Sequence, residues 1–145
     1  MSDAPKTPVP ARPASTVVIL RDGRDGIEVF MVVRHHQIDF ASGALVFPGG
    51  KVDAEDSDPA WTALAGQAPT APDQSFYVAA GRETFEEAGL MLARGGGDAI
   101  VDDAAAQRLV VKHRAKLLKG ETTFIDIVRG EGLKLALDLM VPFAH

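Results

Sequence analysis

The stretch AAGRETFEEAGL, residues 79–90, decides the fold, because it marks both the central helix and the charges that the helix carries. Pro72-Asp73 is a helix-start signal and Gly89 is a plausible stop, so we predict a helix over residues 74–88. The stretch crowds three glutamates and one arginine together. Like charges one turn apart on a helix repel by roughly 0.2–0.5 kcal/mol per pair, so their presence requires a reason.

The charges of this predicted helix fall on one face. At 100° per residue, Glu83, Glu86 and Glu87 share an arc of about 100°. Arg82 precedes Glu86 by one turn and can pair with it. The opposite arc is small and apolar and suits packing on a sheet: Gly81, Thr84, Phe85 and Ala88. Three converging carboxylates make either a solvated acidic face or a site for a hard cation such as Mg²⁺, which binds oxygen ligands and a few waters.

On the N-terminal side of this helix, β-branched runs and turn residues predict three strands. The predicted elements are strands at 15–23 and 27–36 joined by the hairpin turn of RDGRDG, a strand at 44–52 broken by Pro48-Gly49-Gly50, and a surface loop over 53–73 with a short helix at 59–64. The Pro-Gly-Gly turn is either a structural loop or a place where the backbone approaches a ligand closely.

On the C-terminal side, helical spacing and turn residues predict further elements. They are a loop at 93–98, a helix over 103–119 that stops at Gly120, a shorter helix at 122–129 and a strand at 133–141. Together the elements predict an α/β or α+β sandwich. Residues 1–13 carry four prolines and little to bury, so we predict a disordered lead-in before one domain over residues 14–145.

Composition limits the function. The chain has 145 residues, a net charge of −5 and no cysteine. The charge argues against nucleic acid or an anionic membrane as a partner, although a small phosphorylated ligand beside a bound cation is compatible with it. The lack of cysteine excludes disulfides, thiol nucleophiles and cysteine–zinc sites. Without a signal-peptide core or a run of about 18 apolar residues, we expect a cytoplasmic protein.

Taken in order, these features resemble the Nudix hydrolases, whose signature is G-x5-E-x7-R-E-U-x-E-E-x-G-U, with U a bulky apolar residue. The second half matches RETFEEAGL, residues 82–90, with Thr84 at a position that is usually more apolar. In the first half, Gly50 is followed by five residues and then Asp56, where the family has glutamate. The spacing from Asp56 to Arg82 is longer than x7, which implies an insertion at about residues 57–74.

The interrupted signature is similar to the branch that includes peroxisomal coenzyme A diphosphatases and their bacterial relatives. FASGALVFPGG, residues 40–50, also resembles the end of a coenzyme A motif, although Asp39 stands where that motif has arginine. Relatives of this kind continue past a segment like residues 137–145, so the resemblance implies that the fold is incomplete at His145. A sheet without its last strands exposes edges and apolar surface, so a lone monomer is not expected to be stable and a homodimer is one alternative.

The resemblance implies a Nudix-like α/β/α sandwich with a mixed sheet. It also implies hydrolysis of a diphosphate linkage in a nucleoside-diphosphate derivative, with coenzyme A or an acyl derivative as the best single guess, and Mg²⁺ or Mn²⁺ as cofactor. The implied cation ligands are Glu83, Glu86, Glu87, a carbonyl oxygen of Gly49 or Gly50, and Asp56 through a water. Arg82 would orient the glutamates, and Glu83 would be a ligand or the general base. The implied substrate-binding residues are Arg34, Phe47, Gly49 and Lys51.

Other motifs are rejected or have no catalytic role. DAEDSD, residues 53–58, lacks the glycine and the final glutamate of a calcium loop, and GGK at 49–51 lacks the flanking residues of a Walker loop. We expect His35-His36 to be plain surface residues and His113 to be structural or solvated. The rival to an enzyme is a non-catalytic or defective domain that binds a similar ligand.

Overall fold

The central element of the fold is the helix α2 (Gln74–Ala88). The computed structural model describes residues 10–33, 43–68 and 73–143. The side chain of Asp73 caps the first turn of α2 by accepting a hydrogen bond from the Ser75 amide at 2.9 Å. Gly89 ends the helix in the left-handed conformation, with a φ of 71°, and its amide donates to the Phe85 carbonyl oxygen at 3.0 Å. The predicted helix is therefore confirmed, whereas Pro72 lies outside the described residues.

The other elements are shorter. The strands are β1 (Ala14–Thr16), β2 (Ile19–Gly23), β3 (Gly26–Phe30), β4 (Val32–Val33), β5 (Leu45–Val46), β6 (Gly49–Lys51), β7 (Ala93–Arg94) and β8 (Lys134–Leu135). The helices are α1 (Trp61–Leu64), α3 (Asp103–Leu109), α4 (Ala115–Leu118) and α5 (Phe124–Gly130). Two 3₁₀ helices lie at Ala54–Ser57 and Leu137–Leu139, and a π-helix at Val110–Arg114 joins α3 to α4.

The described strands form four antiparallel pairs, β1–β6, β2–β3, β4–β5 and β7–β8, and one parallel bridge links Ala65 to Leu135. The hairpin β2–β3 confirms the predicted RDGRDG turn, with Gly23 opposite Gly26. The predicted strand 15–23 is divided, because β1 pairs with β6 while β2 pairs with β3. The predicted strand 27–36 is interrupted at Met31, and its last three residues lie outside the described ranges.

The Pro-Gly-Gly segment differs from the prediction in one respect. The interruption falls at Phe47-Pro48, whereas Gly49 and Gly50 belong to β6 and pair with Thr16 and Ser15. A Cβ added at Gly49 would overlap the backbone of β1, so glycine allows the two strands to approach closely there. The prediction that both glycines break the strand was wrong, because their small size permits pairing instead.

Two elements of the C-terminal half differ from the prediction. Ala93–Arg94 was predicted as loop but pairs with β8 as β7. The predicted strand 133–141 is limited to Lys134–Leu135, and a 3₁₀ helix follows at Leu137–Leu139. Leu135, Ala136 and Leu137 are all buried, which a one-sided strand with alternating faces does not achieve. The predicted helices at 103–119 and 122–129 are confirmed as α3 with its π-helix and α4, and as α5.

The hydrophobic core lies on the apolar side of α2. Phe124 of α5 contacts the rings of Trp61 and Phe85, with centroid distances of 5.8 and 6.0 Å. On the apolar arc of α2, Phe85 thus contacts Phe124 of α5 and Gly81 lies beside Leu135 of β8, while the helix also lies against β1 and β6. The elements assign the chain to the α/β class, as expected. No helix in the described ranges has both the length and the apolar character needed to cross a membrane.

Candidate active site

Arg82 is the centre of a charged cluster between α2 and the segment that follows β6. Its side chain is almost fully buried, and Nε and Nη2 donate to the two carboxylate oxygens of Asp56 at 2.9 and 3.0 Å. Nη2 also donates to the Lys51 carbonyl oxygen at 2.8 Å. On the other side, Nη1 donates to Glu83 at 3.0 Å and to Glu86 at 3.1 Å. Arg82 therefore joins the two halves of the interrupted signature, and its expected contact with Glu86 is present.

Asp56 is positioned by local backbone structure. It ends the first turn of the 3₁₀ helix at Ala54–Ser57, and its Oδ2 accepts the Asp53 amide at 2.8 Å. Its side chain is fully buried, and both oxygens are occupied by Arg82 and by this amide. The geometry therefore makes Asp56 the residue that holds Arg82, whereas the sequence led us to expect a carboxylate that reaches a cation through a water.

The electrostatic environment keeps Arg82 charged. Burial by itself would lower the pKa of Arg82, but the hydrogen bond and the charge of Asp56, followed by the charges of Glu86 and Glu83, raise it above the ordinary arginine value. A charged guanidinium in this position offsets part of the repulsion between the carboxylates. Because the Asp56 contact is bidentate, it also fixes the plane of the guanidinium group.

The environment of Glu83 disfavours its charged form. Burial raises the pKa of Glu83; Arg82 opposes that shift, and the charges of Glu86 and Glu87 add to it. Burial and then the charge of Asp56 likewise raise the pKa of Glu55, which lies nearby. The cluster thus holds more negative charge than Arg82 neutralises, as expected for a site that receives a cation.

Glu87 and the two glycines of β6 form the other wall of the cluster. The Gly49 amide donates to Oε2 of Glu87 at 3.1 Å. A Cβ added at Gly50 would overlap the Glu83 carboxylate, so any larger residue there would displace Glu83 from its position. The close backbone approach that the Pro-Gly-Gly sequence raised as an alternative is therefore present, and it faces the glutamates.

The strand register decides which glycine carbonyl faces the cluster. The Val17 amide donates to Pro48 at 2.9 Å and the Val52 amide to Pro13 at 3.0 Å. Hydrogen-bonded pairs alternate along an antiparallel ladder, so Gly50 directs its amide and carbonyl groups toward Ser15. Gly49 directs its groups to the opposite side, where its amide meets Glu87. The register therefore directs the carbonyl oxygen of Gly49, rather than that of Gly50, to the glutamate side.

Arg114 also contacts the site, although the sequence did not predict this contact. Its Nε donates to the carbonyl oxygen of Glu86 at 2.8 Å, and its Nη2 donates to that of Glu87 at 3.0 Å. These carbonyls belong to the last turn of α2, which lacks partners within the helix. The π-helix at Val110–Arg114 carries this side chain, and such segments are frequent at functional sites. Sequence spacing gave no signal for the contact, because it joins two separate helices.

The carboxylate oxygens of the cluster are the candidate ligands for the cation that the resemblance implies. Within the described ranges, no group of three or more His, Asp or Glu side chains is arranged to hold a metal ion. However, Mg²⁺ is usually bound by one or two carboxylates, with waters and substrate phosphates completing its shell. Glu83 and Glu86 lie close enough to share one nitrogen of Arg82, and Glu87 is one position further along the helix. These oxygen donors fit Mg²⁺ or Mn²⁺ in that partial mode.

The remaining predicted residues lie around this cluster or outside it. The Lys51 side chain is exposed, while its carbonyl oxygen binds Arg82. Phe47 is about one-third exposed and precedes the glycines. Arg34 and His35-His36 lie outside the described residues. His113 is a structural contact, as expected, with Nε2 at 2.6 Å from the Glu131 carboxylate.

A cavity of about 590 Å³ lies elsewhere in the molecule. It is lined by the glycine-rich loop 95–97, by the exposed side of α3, and by Glu131 and Leu133. None of the clustered glutamates contributes to its walls, so the candidate site beside β6 lies outside this cavity.

Comparison with known proteins supports the fold. No protein-family model matches the chain. Among solved structures, the chain is similar to a NUDIX hydrolase from Alicyclobacillus acidocaldarius, with a TM-score of 0.65 and 32% sequence identity. The match covers 87% of this chain and 57% of that protein, so the chain spans less than two thirds of the length of its neighbour. This similarity shows a Nudix-like fold and confirms the predicted fold class.

Proposed function

We propose that this chain belongs to the Nudix hydrolases and cleaves a diphosphate linkage in a nucleoside-diphosphate derivative, with Mg²⁺ or Mn²⁺ as cofactor. The observation that carries the proposal is the arrangement around Arg82. One guanidinium joins Asp56 and Lys51, from the first half of the signature, to Glu83 and Glu86 from the second half. A solvated acidic helix face needs no such buried link, so the cluster is better explained as an assembled site.

Each residue of the cluster has a distinct part in this mechanism. Glu83, Glu86 and Glu87 would hold the cation, together with the Gly49 carbonyl oxygen. A cation held there would supply positive charge against the phosphate oxygens and a lower pKa for the attacking water. Arg82 holds Glu83 and Glu86 side by side, and Asp56 keeps Arg82 fixed. Positioning of this kind supplies most of the catalysis in phosphoryl transfer.

Glu83 is the best-placed proton acceptor among the described carboxylates. It is partly buried against Gly50, and its pKa is raised by burial and by neighbouring carboxylates. A raised pKa brings a carboxylate closer to the value that suits a general base near neutral pH. Glu83 therefore has two alternative roles, as a cation ligand and as the group that takes the proton from the attacking water.

Coenzyme A or an acyl derivative is the first substrate to test. This preference rests on the interrupted signature and on residues 40–50, which lead into the Gly49-Gly50 strand. Lys51 has an exposed side chain, its carbonyl oxygen binds Arg82, and it is proposed from the sequence to contact the substrate phosphates. Arg34 is proposed for the same task from the sequence.

A ligand-binding domain without catalysis is the second candidate function. Its supporting observation is that the carboxylate of Glu87 accepts the Gly49 amide, so the three glutamates do not converge on a single point. A domain in this arrangement could bind a diphosphate compound without cleaving it.

One experiment separates the two functions. The chain and a Glu86→Gln/Glu87→Gln variant are incubated with Mg²⁺ and with coenzyme A, acetyl-coenzyme A, ADP-ribose, NADH or dinucleoside polyphosphates, and product is measured by chromatography. We expect the variant to lose at least about 100-fold in turnover. Glu121→Gln is the matched control, because Glu121 is exposed and distant in sequence from the cluster. Equal turnover by the parent and by the Glu86→Gln/Glu87→Gln variant would contradict the cation-site assignment. Binding without turnover by the parent would support the second function.

A further inference from the structure

Trp61 is the only tryptophan of the chain, and it lies in the insertion that separates the two halves of the signature. The sequence predicted a surface loop for this stretch, and such loops usually run outside the core. Trp61 is instead 1% exposed and belongs to the hydrophobic core. The insertion therefore takes part in the packing of the molecule.

One polar contact links Trp61 to the segment that precedes the insertion. Its indole Nε1 donates a hydrogen bond to the carbonyl oxygen of Glu55 at 2.9 Å. A buried indole N–H usually needs such an acceptor. Glu55 lies in the 3₁₀ helix Ala54–Ser57, directly before Asp56. The core tryptophan is thus bonded to the backbone of the short helix that carries Asp56.

The position of this 3₁₀ helix decides how Asp56 meets Arg82. Both carboxylate oxygens of Asp56 accept from Arg82, at 2.9 and 3.0 Å, and Arg82 in turn donates to Glu83 and Glu86. A bidentate pair tolerates little displacement, because both of its hydrogen bonds must keep their direction. A shift of the 3₁₀ helix would therefore move or release the guanidinium group that Glu83 and Glu86 share.

Trp61 is itself held firmly by the core. Its ring centroid lies 5.8 Å from that of Phe124 in α5. Just beyond α1, a parallel bridge joins Ala65 to Leu135 of β8, and the Gly66 amide donates to the Leu135 carbonyl oxygen at 2.7 Å. The part of the insertion that carries Trp61 is thus attached to α5 and to β8. It connects the core to the candidate site.

We propose that Trp61 is a positioning residue of the candidate active site, contributed by the insertion. Its indole N–H fixes the 3₁₀ helix, this helix fixes Asp56, and Asp56 fixes Arg82 beside the glutamates. The rival explanation is that Trp61 serves the core alone, through its ring. The link from Trp61 to Arg82 does not require catalysis, whereas its effect on cation affinity rests on the proposed function.

Fluorescence tests the link without replacing Trp61. Because the chain has one tryptophan, the emission of the folded protein reports on its indole. Asp56→Asn weakens the pair with Arg82, so the 3₁₀ helix should release the indole N–H more often. We expect emission at longer wavelength and acrylamide quenching that is at least about twofold faster than in the parent. Asp98→Asn, at an exposed position, is the control and should leave both unchanged.

Trp61→Phe tests the link from the other end. Phenylalanine keeps a ring beside Phe124 but lacks the N–H donor, and the Glu55 carbonyl oxygen keeps the Asp58 amide as a partner at 3.2 Å. We expect the Mn²⁺ concentration for half-saturation, measured by electron paramagnetic resonance, to rise at least about threefold. Phe124→Leu is the matched control, because it disturbs the same ring contact and leaves the indole N–H in place. It should change Mn²⁺ affinity by less than about twofold, even if it lowers stability more.

The two experiments separate this inference from the proposed function. A parent chain that binds no Mn²⁺ would contradict the proposed function, and fluorescence would then decide the positioning role alone. Fluorescence also decides it if Trp61→Phe fails to fold, as judged by circular dichroism. Unchanged emission and quenching in Asp56→Asn would overturn the proposal. So would equal Mn²⁺ affinities of Trp61→Phe and the parent, or equal losses of affinity in Trp61→Phe and Phe124→Leu.

Discussion

At the scale of single residues, the candidate site depends on how Arg82 is held. Helix spacing predicted its contact with Glu86, because residues four apart meet on one face. The sequence could not predict that Asp56 would occupy both Nε and Nη2, since that contact joins residues separated by a long segment. For the same reason, the sequence led us to expect Asp56 near the cation. The spacing identified an important carboxylate, but only the tertiary structure shows that this carboxylate faces Arg82.

Replacing Asp56 tests this arrangement directly. Asp56→Asn keeps the size of the side chain but leaves the buried Arg82 charge without its bidentate partner. We expect the free energy of unfolding to fall by about 3 kcal/mol, at the low end for breaking a buried ion pair, because Glu83 and Glu86 remain beside Arg82. Urea unfolding at pH 7 measures the loss. Asp98→Asn, at an exposed position, should change it by less than about 0.5 kcal/mol, and similar losses for both would contradict the assigned role.

The raised pKa of Glu83 predicts a pH dependence of stability. Burial raises its folded-state pKa above the ordinary value of 4.5, so the charged form is less stable in the folded protein than in the unfolded chain. The associated stability is complete below pH 4.5 and is lost as the pH rises through the raised value. In EDTA, the Tm of Glu83→Gln relative to the parent should therefore increase as the pH rises above 4.5. Thermal melts across this range measure the gain, and a constant difference would contradict it.

At the scale of elements, caps were predictable and short strands were not. Asp73 and Gly89 define the ends of α2 through local backbone chemistry, which a sequence displays directly. The pair β7–β8 has two residues per strand and exists because distant segments meet, so β7 was misassigned as loop and the predicted strand around β8 was too long. The segment 133–141 is rich in apolar residues and resembled a strand, but the chain turns into a 3₁₀ helix at Leu137–Leu139, and Leu135, Ala136 and Leu137 are all buried.

The contact between the π-helix and α2 predicts an effect on catalysis from outside the signature. Arg114→Gln removes the charged donors from the Glu86 and Glu87 carbonyls, so the last turn of α2 loses its anchor. If the proposed hydrolase activity is present, we expect kcat to fall roughly tenfold and the Mg²⁺ concentration for half-maximal activity to rise. Arg108→Gln, on the exposed side of α3, is the control. An unchanged Mg²⁺ dependence with lower stability would make Arg114 purely structural.

At the scale of the whole molecule, the core and the N-terminal strands are distinct in burial. The buried hydrophobic cluster begins at Trp61 and includes Val78 and Phe85 of α2, whereas Pro48 and Asp56 are fully buried outside it. Of the N-terminal strands, β1 and β6 contact α2, and β6 does so near Glu83 and Glu87. The sequence predicted the order of these elements and the α/β class. It could not predict the unequal burial, because strand patterns show which face is apolar but not what covers it.

The unequal burial predicts where stability resides. Phe124 is fully buried and contacts the rings of Trp61 and Phe85, so Phe124→Ala should lower the free energy of unfolding by about 3–5 kcal/mol. Phe143→Ala provides the same chemical change at a side chain that is 97% exposed and should cost less than about 0.5 kcal/mol. Urea unfolding of both variants measures the difference. Comparable losses would mean that the helical cluster around α2 is not the source of stability, because only burial separates the two phenylalanines.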